Sequence, residues 1–495
     1  MNLIIHTLCW YLHGLALDKP CLPLLGDKEG WITAEHVEQF VEAGAGLLYA
    51  GGLRPGDRVA LRAGRSVNAV LALLCLQRVG AAAILIDPRD DPKRSLSDCV
   101  PSLDVSFCLE AGGDIHRPVL LLTRAGEETP LQLPLASSGC TPAPAWDDPD
   151  APAFYIFTSG SSGQKKAVIL SQGSLVSNLL DSAPLGGYLE DDVALGALPM
   201  DHVFGLALLT GAIVLRHRLY LTAATAPEEL LQIVGREKIT RMNGVPSLYL
   251  AMAKKARPGE VRSLRVGYIG GAPWTAEQFR HIESTLGMTL VPVYGMSECI
   301  GISCASHQSP QAERMAGVGP FYPANQGKVL REDGSQALTG EEGEVCVRGP
   351  MRMLGYHDPA QTAQAIDAGG FLHTGDLGYV DESGVLHLTG RRKDIIIRSG
   401  VNLSPRHIEE ALLSLPGVQG AAVVGLPDDT CGELPWAAVV CGAEALPCLM
   451  DGLRPMLSKN ELPIGILRLD NLPMTGSGKP DKQAVKGLIR QWRKV

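Results

Sequence analysis

The 495-residue sequence has no apolar run of the roughly 18–20 residues that a bilayer-spanning helix needs. It has no basic excess either: 44 Lys and Arg stand against 53 Asp and Glu, a net charge of −9, which argues against a dedicated duplex DNA or RNA binder. No Cys-x-x-Cys occurs among its twelve cysteines, and the nearest pair is Cys299 and Cys304. A long chain with cysteines scattered singly reads as a protein of a reducing cytoplasm rather than a disulfide framework, and no zinc-ligand spacing is visible. The start, MNLIIHTLCWYLHG, lacks a basic n-region and a small-residue cleavage site, so it reads as a first helix packed on the body. What is present is ordinary globular material, 45% hydrophobic and 20% charged, with 56 Gly and 34 Pro to shape loops. At roughly 150 residues per domain the length suggests about three units.

Val59–Leu61, a helical pattern over Ser66–Val79 and an apolar run over Ala81–Ile86 form a strand–helix–strand unit, the signature of a parallel sheet. Residues 127–152, rich in Pro, Ser and Thr, read as a connecting loop. Strands are then expected at Ala153–Phe157, Ile239–Val245, Leu264–Gly270 and Thr289–Val293, and helices at Leu175–Leu180, Glu228–Glu237 and Thr275–Leu286. This alternation predicts an α/β body with buried strands. After about Leu388 the pattern restarts. Asp394–Ile397 reads as a strand, Ser404-Pro405 as the cap of a helix through Leu415, Ala421–Leu426 and Ala437–Cys441 as strands, with a helix after Asp481. These last hundred or so residues read as a separate small α+β domain.

The most informative stretch is Thr158-Ser159-Gly160-Ser161-Ser162-Gly163-Gln164-Lys165-Lys166. By residue type it is either a Ser/Gly linker or an anion loop in which glycines let backbone amides converge, hydroxyls donate and a lysine supplies charge. Its place directly after a buried-strand pattern favours the loop. It is not a Walker loop. The stretch resembles the T-S-G-[ST]-T-G-x-P-K-G signature of the adenylate-forming superfamily of acyl-CoA synthetases, adenylation domains and luciferases. Lys166 matches the family lysine, while Ser162, Lys165 and Ala167 depart from the family's Thr, Pro and Gly.

Further motifs follow in family order. Pro199-Met200-Asp201-His202-Val203-Phe204-Gly205 resembles the segment beside the acyl pocket, where His202 would orient or gate the acid. Gly271-Ala272-Pro273 resembles the adenine-side turn. Tyr294-Gly295-Met296-Ser297-Glu298 resembles Y-G-x-[ST]-E, with Tyr294 stacking on adenine, Ser297 lining the nucleotide and Glu298 holding Mg²⁺, a hard cation that takes oxygen ligands. Thr374-Gly375-Asp376 resembles the segment whose carboxylate binds the ribose hydroxyls. Arg391 matches the arginine on ribose or phosphate, and Lys393 the hinge between domains. Ser399-Gly400 lies on the loop that reaches the thiol tunnel in the family. Thr475-Gly476-Ser477-Gly478-Lys479 resembles the C-terminal T-x-S-G-K, whose lysine serves adenylate formation.

The resemblance covers residues from about 40 to 485. It implies a large N-terminal body of mixed and parallel sheets sandwiched by helices, the AMP-binding domain over 1–392, and a small mobile C-terminal α+β domain over 393–495. It implies two steps: a carboxylate attacks the α-phosphorus of ATP to give acyl-AMP and pyrophosphate, then a thiol attacks the acyl carbonyl and releases AMP. ATP, Mg²⁺ and coenzyme A are the implied cofactors. A carrier-protein phosphopantetheine thiol is the alternative acceptor, and a luciferase-type oxygenase or a catalytically silent scaffold are more distant readings. His202 is followed by Val203 rather than an Asp that would pair a substrate ammonium, which disfavours an α-amino acid. Phe204, Gly205, Leu206, Ile300 and Gly301 suggest an apolar pocket for an aryl or aliphatic acid.

Overall fold

The computed structural model describes residues 5–87, 103–125, 127, 129–135, 146–159, 165–257, 259–474 and 480–493. Two eight-stranded sheets form the N-terminal body. In the first, the strands Val193–Gly196, Arg218–Leu221, Arg241–Gly244, Val266–Ile269 and Thr289–Met296 run parallel with Pro23–Asp27, and the antiparallel edges are Cys299–Cys304 and Gly30–Thr33. In the second, Phe107–Asp114, Arg58–Arg62, Ala82–Ile86 and Pro152–Ser159 are parallel, and Lys165–Ser171 turns back beside Pro152–Ser159. The expected strand–helix–strand unit is therefore the centre of this sheet.

Helices fill the space between the two sheets. Val67–Val79 touches strands of both, and every residue of it except Arg78 is buried: its sequence is mostly apolar, and its polar Asn68 and Gln77 donate to backbone carbonyls. Ser66 caps it, its side chain accepting the Ala69 N–H, and Gly80 ends it in the left-handed region at φ +81°. Gln172–Leu185 also touches both sheets. The first helix, Leu8–Asp18, buries Leu8, Cys9, Leu12 and Leu15 against the body, as its sequence suggests. Among the described residues no helix is long and apolar enough to cross a membrane.

A third, four-stranded antiparallel sheet (Gln326–Leu330, Gly343–Arg348, Leu372–Val380, Leu386–Arg391) carries the chain to the C-terminal domain. There the long hairpin Val418–Asp428 and Gly432–Cys441 is flanked by Ile396–Arg398, Val401–Leu403 and Ile466–Leu469, with helices Pro405–Leu413 and Lys482–Trp492 packed on the hairpin. The apolar clusters separate cleanly. Those of the body end at Leu388, and those of the small domain begin at Ile396.

Three expectations are corrected. Within the region read as a loop, Leu131–Pro134 is a strand on the edge of the second sheet, where a proline that cannot donate is tolerated. Asp394 does not begin a strand: Arg392–Asp394 form a 3₁₀ turn and the strand starts at Ile396. Ser404 precedes the helix but does not cap it with its side chain, and the helix stops at Leu413 rather than Leu415. Its hydroxyl instead donates to the Thr389 carbonyl at 2.6 Å, tying the helix to the last strand of the body.

Candidate active site

Three distant segments converge on Asp376. The strands Leu372–Val380 and Leu386–Arg391 pair antiparallel so that Asp376 lies opposite Arg391, whose Nε donates to Oδ1 at 2.8 Å. From the first sheet, Tyr294 donates its hydroxyl to Oδ2 at 2.6 Å. The Asp376 side is braced from below. Its N–H donates to the Thr374 hydroxyl, which itself donates to the Val345 carbonyl at 2.7 Å, and the Gly375 N–H donates to Glu344 Oε1 at 3.1 Å. Burial, reinforced by the Asp376 charge, pushes the Tyr294 phenol well up, so it remains a donor. Burial works against the Arg391 charge, but Asp376 and Asp394 outweigh it and hold the guanidinium pKa up. A carboxylate offers about four lone-pair sites. Among the described residues two of these are taken, by Tyr294 and Arg391.

A second cluster forms around Glu298. Ser297 and Glu298 are the turn of the hairpin joining Thr289–Met296 to Cys299–Cys304. The hairpin bulges at Gly295, where a Cβ would clash with the Ile300 carbonyl oxygen, so only glycine fits. Ser297 is half-buried and Glu298 is buried. Tyr356 donates to Glu298 Oε1 at 2.7 Å, and among the described residues Oε2 takes no protein donor. The Lys166 ammonium lies 5.0 Å from the centre of the Tyr356 ring, because the short strand Gly355–Tyr356 pairs with Lys165–Ser171. A carboxylate from one sheet and a lysine from the other thus meet through one tyrosine.

The remaining candidates are placed as follows. Thr158 pairs with Lys166 across the hairpin, and the Ser159 backbone pairs with Lys165. Gly160, Ser161, Ser162 and Gly163 lie outside the described residues, as does Lys479. Gly271, Ala272 and Pro273 follow the strand Val266–Ile269 in an exposed turn with Gly271 at φ +81°. His202 is half-buried at the start of helix Val203–Val214 and does not cap it with its ring. Lys393 is exposed in the 3₁₀ turn. Ser399 and Gly400, at φ +51° and +80°, form the tip of the hairpin between Ile396–Arg398 and Val401–Leu403. That tip is exposed, with nothing within 4 Å of where a Gly400 Cβ would sit, and the Ser399 N–H donates to the Cys431 carbonyl at 2.7 Å. The fold therefore joins Tyr294, Asp376 and Arg391 in one cluster and Glu298 and Lys166 in another, and leaves the Ser399–Gly400 tip apart.

Sequence reasoning missed Tyr356 and Glu344. Tyr356 reaches Glu298 across 58 residues, and Glu344 reaches Gly375 across 31. Neither stands in a local pattern that marks a site, and only strand pairing reveals them.

Comparison with known proteins bears on the family and the fold. A family model for AMP-binding enzymes matches residues 15–357, and a model for the AMP-binding enzyme C-terminal domain matches residues 407–479. A feruloyl-CoA synthase from Amycolatopsis is 31% identical over 93% of this chain and 94% of its own. A salicyl-AMP ligase/salicyl-S-ArCP synthetase from Mycobacterium tuberculosis is 30% identical over 94% of this chain and 87% of its own. The crystal structure of ATP-bound MatB from Rhodopseudomonas palustris superposes with a TM-score of 0.83 at 25% identity, covering 97% of this chain and 98% of that one. The chain belongs to the AMP-binding enzyme family, the adenylate-forming acyl-CoA synthetases.

Proposed function

We propose that this chain activates an aryl carboxylic acid with ATP, releasing pyrophosphate, and passes the acyl group from acyl-AMP to the thiol of coenzyme A. The observation that carries this reading is the buried Asp376 carboxylate, held by Tyr294 and Arg391 with acceptor sites to spare for a ribose. A carboxylate is a poor electrophile, and joining it to AMP supplies a good leaving group. Phosphoryl transfer of this kind needs mainly positioning and charge stabilisation.

In this reading Asp376 and Arg391 hold the ribose. The Gly271-Ala272-Pro273 turn and the Tyr294 ring flank adenine, with Ser297 beside them. Thr158 and Lys166 bound the loop, including Ser159 to Gly163, that takes the β- and γ-phosphates. His202 faces the acid. Lys479 bridges the substrate carboxylate and the α-phosphate as charge develops. Magnesium fits the donors present, since Glu298 is a buried carboxylate with one oxygen anchored by Tyr356 and the other without a protein donor among the described residues. Bound there, the ion would neutralise charge on the phosphates.

The separate apolar clusters on either side of residues 389–395 support a division into 1–392 and 393–495 with Lys393 as hinge. Rotation there would carry Lys479 away and bring Ser399 and Gly400 to the thiol for the second step. The aryl acid is favoured by the feruloyl and salicyl relatives together with the apolar residues near His202. The salicyl-S-ArCP synthetase keeps a carrier-protein thiol as the second reading for the acceptor.

The test is AMP release over a panel of aryl and aliphatic acids, with coenzyme A, with a phosphopantetheinylated carrier protein, and with neither. The expected result is AMP release that requires an aryl acid and is stimulated by coenzyme A. Stimulation by the carrier alone would move the acceptor to the second reading. No acid-dependent AMP or pyrophosphate from any member would overturn the proposal.

A further inference from the structure

The sequence shows no metal-ligand spacing, yet the third sheet builds one across its strands. Glu344 and Cys346 stand two apart on Gly343–Arg348 and so share a face. His373 is the register partner of Cys346 on the neighbouring strand. His373 Nδ1 lies 3.0 Å from Glu344 Oε2 and 3.5 Å from the Cys346 sulfur, and one ligand atom from each residue falls within 4.8 Å of the others.

Tetrahedral zinc, with bonds of about 2.0 Å to nitrogen or oxygen and about 2.3 Å to sulfur, sets N···O at about 3.3 Å and N···S at about 3.5 Å. The observed separations need little adjustment. The other imidazole nitrogen, Nε2, lies 3.6 Å from Asp367 Oδ2, the kind of outer carboxylate that orients a metal-binding histidine. His373 is half-buried and gives a path to solvent, whereas Cys346 is buried. Two cations border the cluster: Arg392, 3.4 Å from Glu344 Oε2 and largely exposed, and Lys328, 3.7 Å from Asp367. Arg392 is free to swing into solvent when a metal arrives.

We propose that Glu344, Cys346 and His373 form a binding site for a thiol-seeking divalent cation of the zinc class, and that its occupancy slows adenylation. Binding makes a metal–sulfur bond and releases the Cys346 proton to solvent. The three protein ligands leave a fourth position for water. The link to the nucleotide site is Glu344, whose Oε1 accepts the Gly375 N–H beside Asp376. Drawing Oε2 onto a metal pulls on the backbone that presents the ribose carboxylate.

Cobalt(II) reports this site without any assay of activity. The full-length, metal-free protein would carry Cys21→Ser and Cys448→Ser to remove the thiols that are exposed among the described residues. The expected result is one equivalent of cobalt giving a thiolate-to-metal charge-transfer band, displaced by zinc and lost in Cys346→Ser. Asp367→Asn, which leaves the buried thiol in place, should bind about tenfold more weakly. Zinc should also slow acid-dependent AMP release in the parent and no longer do so in Cys346→Ser. No charge-transfer band, or a band undiminished by Cys346→Ser, would overturn the site. Zinc that binds there without slowing AMP release would overturn the link to catalysis. The cobalt result stands apart from the ligase reading, so the failure of one is distinguishable from that of the other.

Discussion

At the scale of single residues, the candidate site depends on a few groups whose partners lie far away in sequence. Tyr356 donates to a buried carboxylate, and such bonds contribute about 1.5–3 kcal/mol. Tyr356→Phe is therefore expected to lower stability by roughly that amount. It should also raise the magnesium concentration that gives half-maximal AMP release, because Glu298 loses the contact that fixes its orientation. An unchanged magnesium dependence would show that Glu298 is not held for the cation. In the proposed function Lys479 serves the first step alone. Lys479→Ala is expected to abolish acyl-AMP formation while sparing thioester formation from supplied acyl-AMP, with the two half-reactions measured separately. Equal loss in both would remove its assigned role. The sequence singles out Lys166, Glu298, Asp376, Arg391 and Lys479 because each stands in a short motif. It does not single out Tyr356 and Glu344, since hydrogen bonds across 58 and 31 residues leave no local pattern.

At the scale of elements, the hairpin that carries Glu298 owes its shape to one glycine. A methyl group at Gly295 would meet the Ile300 carbonyl, a backbone atom that cannot rotate away. Gly295→Ala is expected to cost about 1–3 kcal/mol and to displace the Ser297–Glu298 turn. Thermal unfolding would show the loss of stability. AMP release should fall further than a surface substitution of equal cost would make it. Most element types were readable because period and capping agree. Thr275 and Gln278 form a reciprocal capping box at the start of Ala276–Leu286, and Ser66 and Gly80 bracket Val67–Val79. Leu131–Pro134 was not readable, because its strand identity comes from pairing with Arg117–Arg124 rather than from its own four residues.

At the scale of the whole molecule, two properties can be tested. The first is the proposed hinge. Lys393 sits in a 3₁₀ turn between two separate apolar cores, and proline there would restrict the backbone. Lys393→Pro is expected to slow thioester formation more than adenylate formation, and the reverse order would move the hinge elsewhere. The second is acid stability. Burial, aided by the neighbouring Arg241 charge, pushes the His217 pKa down from 6.5 to about 4. The neutral ring donates through Nδ1 to the Arg218 carbonyl at 3.1 Å. A depressed histidine pKa means that the unfolded chain binds the proton first. The contribution is complete above about pH 6.5 and is lost as pH falls toward about 4. At about 1.4 kcal/mol per unit it is on the order of 3 kcal/mol. The denaturation midpoint should fall across that window, and His217→Gln should flatten the fall.

The family, the two-step chemistry and the domain order could be read from the sequence itself. Phosphate loops, caps and carboxylate motifs work through residues close together in the chain, so their chemistry is written locally. The tertiary structure alone decided how these pieces meet. It placed Tyr294 and Arg391 on the two oxygens of Asp376, set Tyr356 between Glu298 and Lys166, and brought Glu344, Cys346 and His373 onto one face. The physical reason is strand register. Hydrogen-bonded pairing between distant segments fixes which side chains face one another.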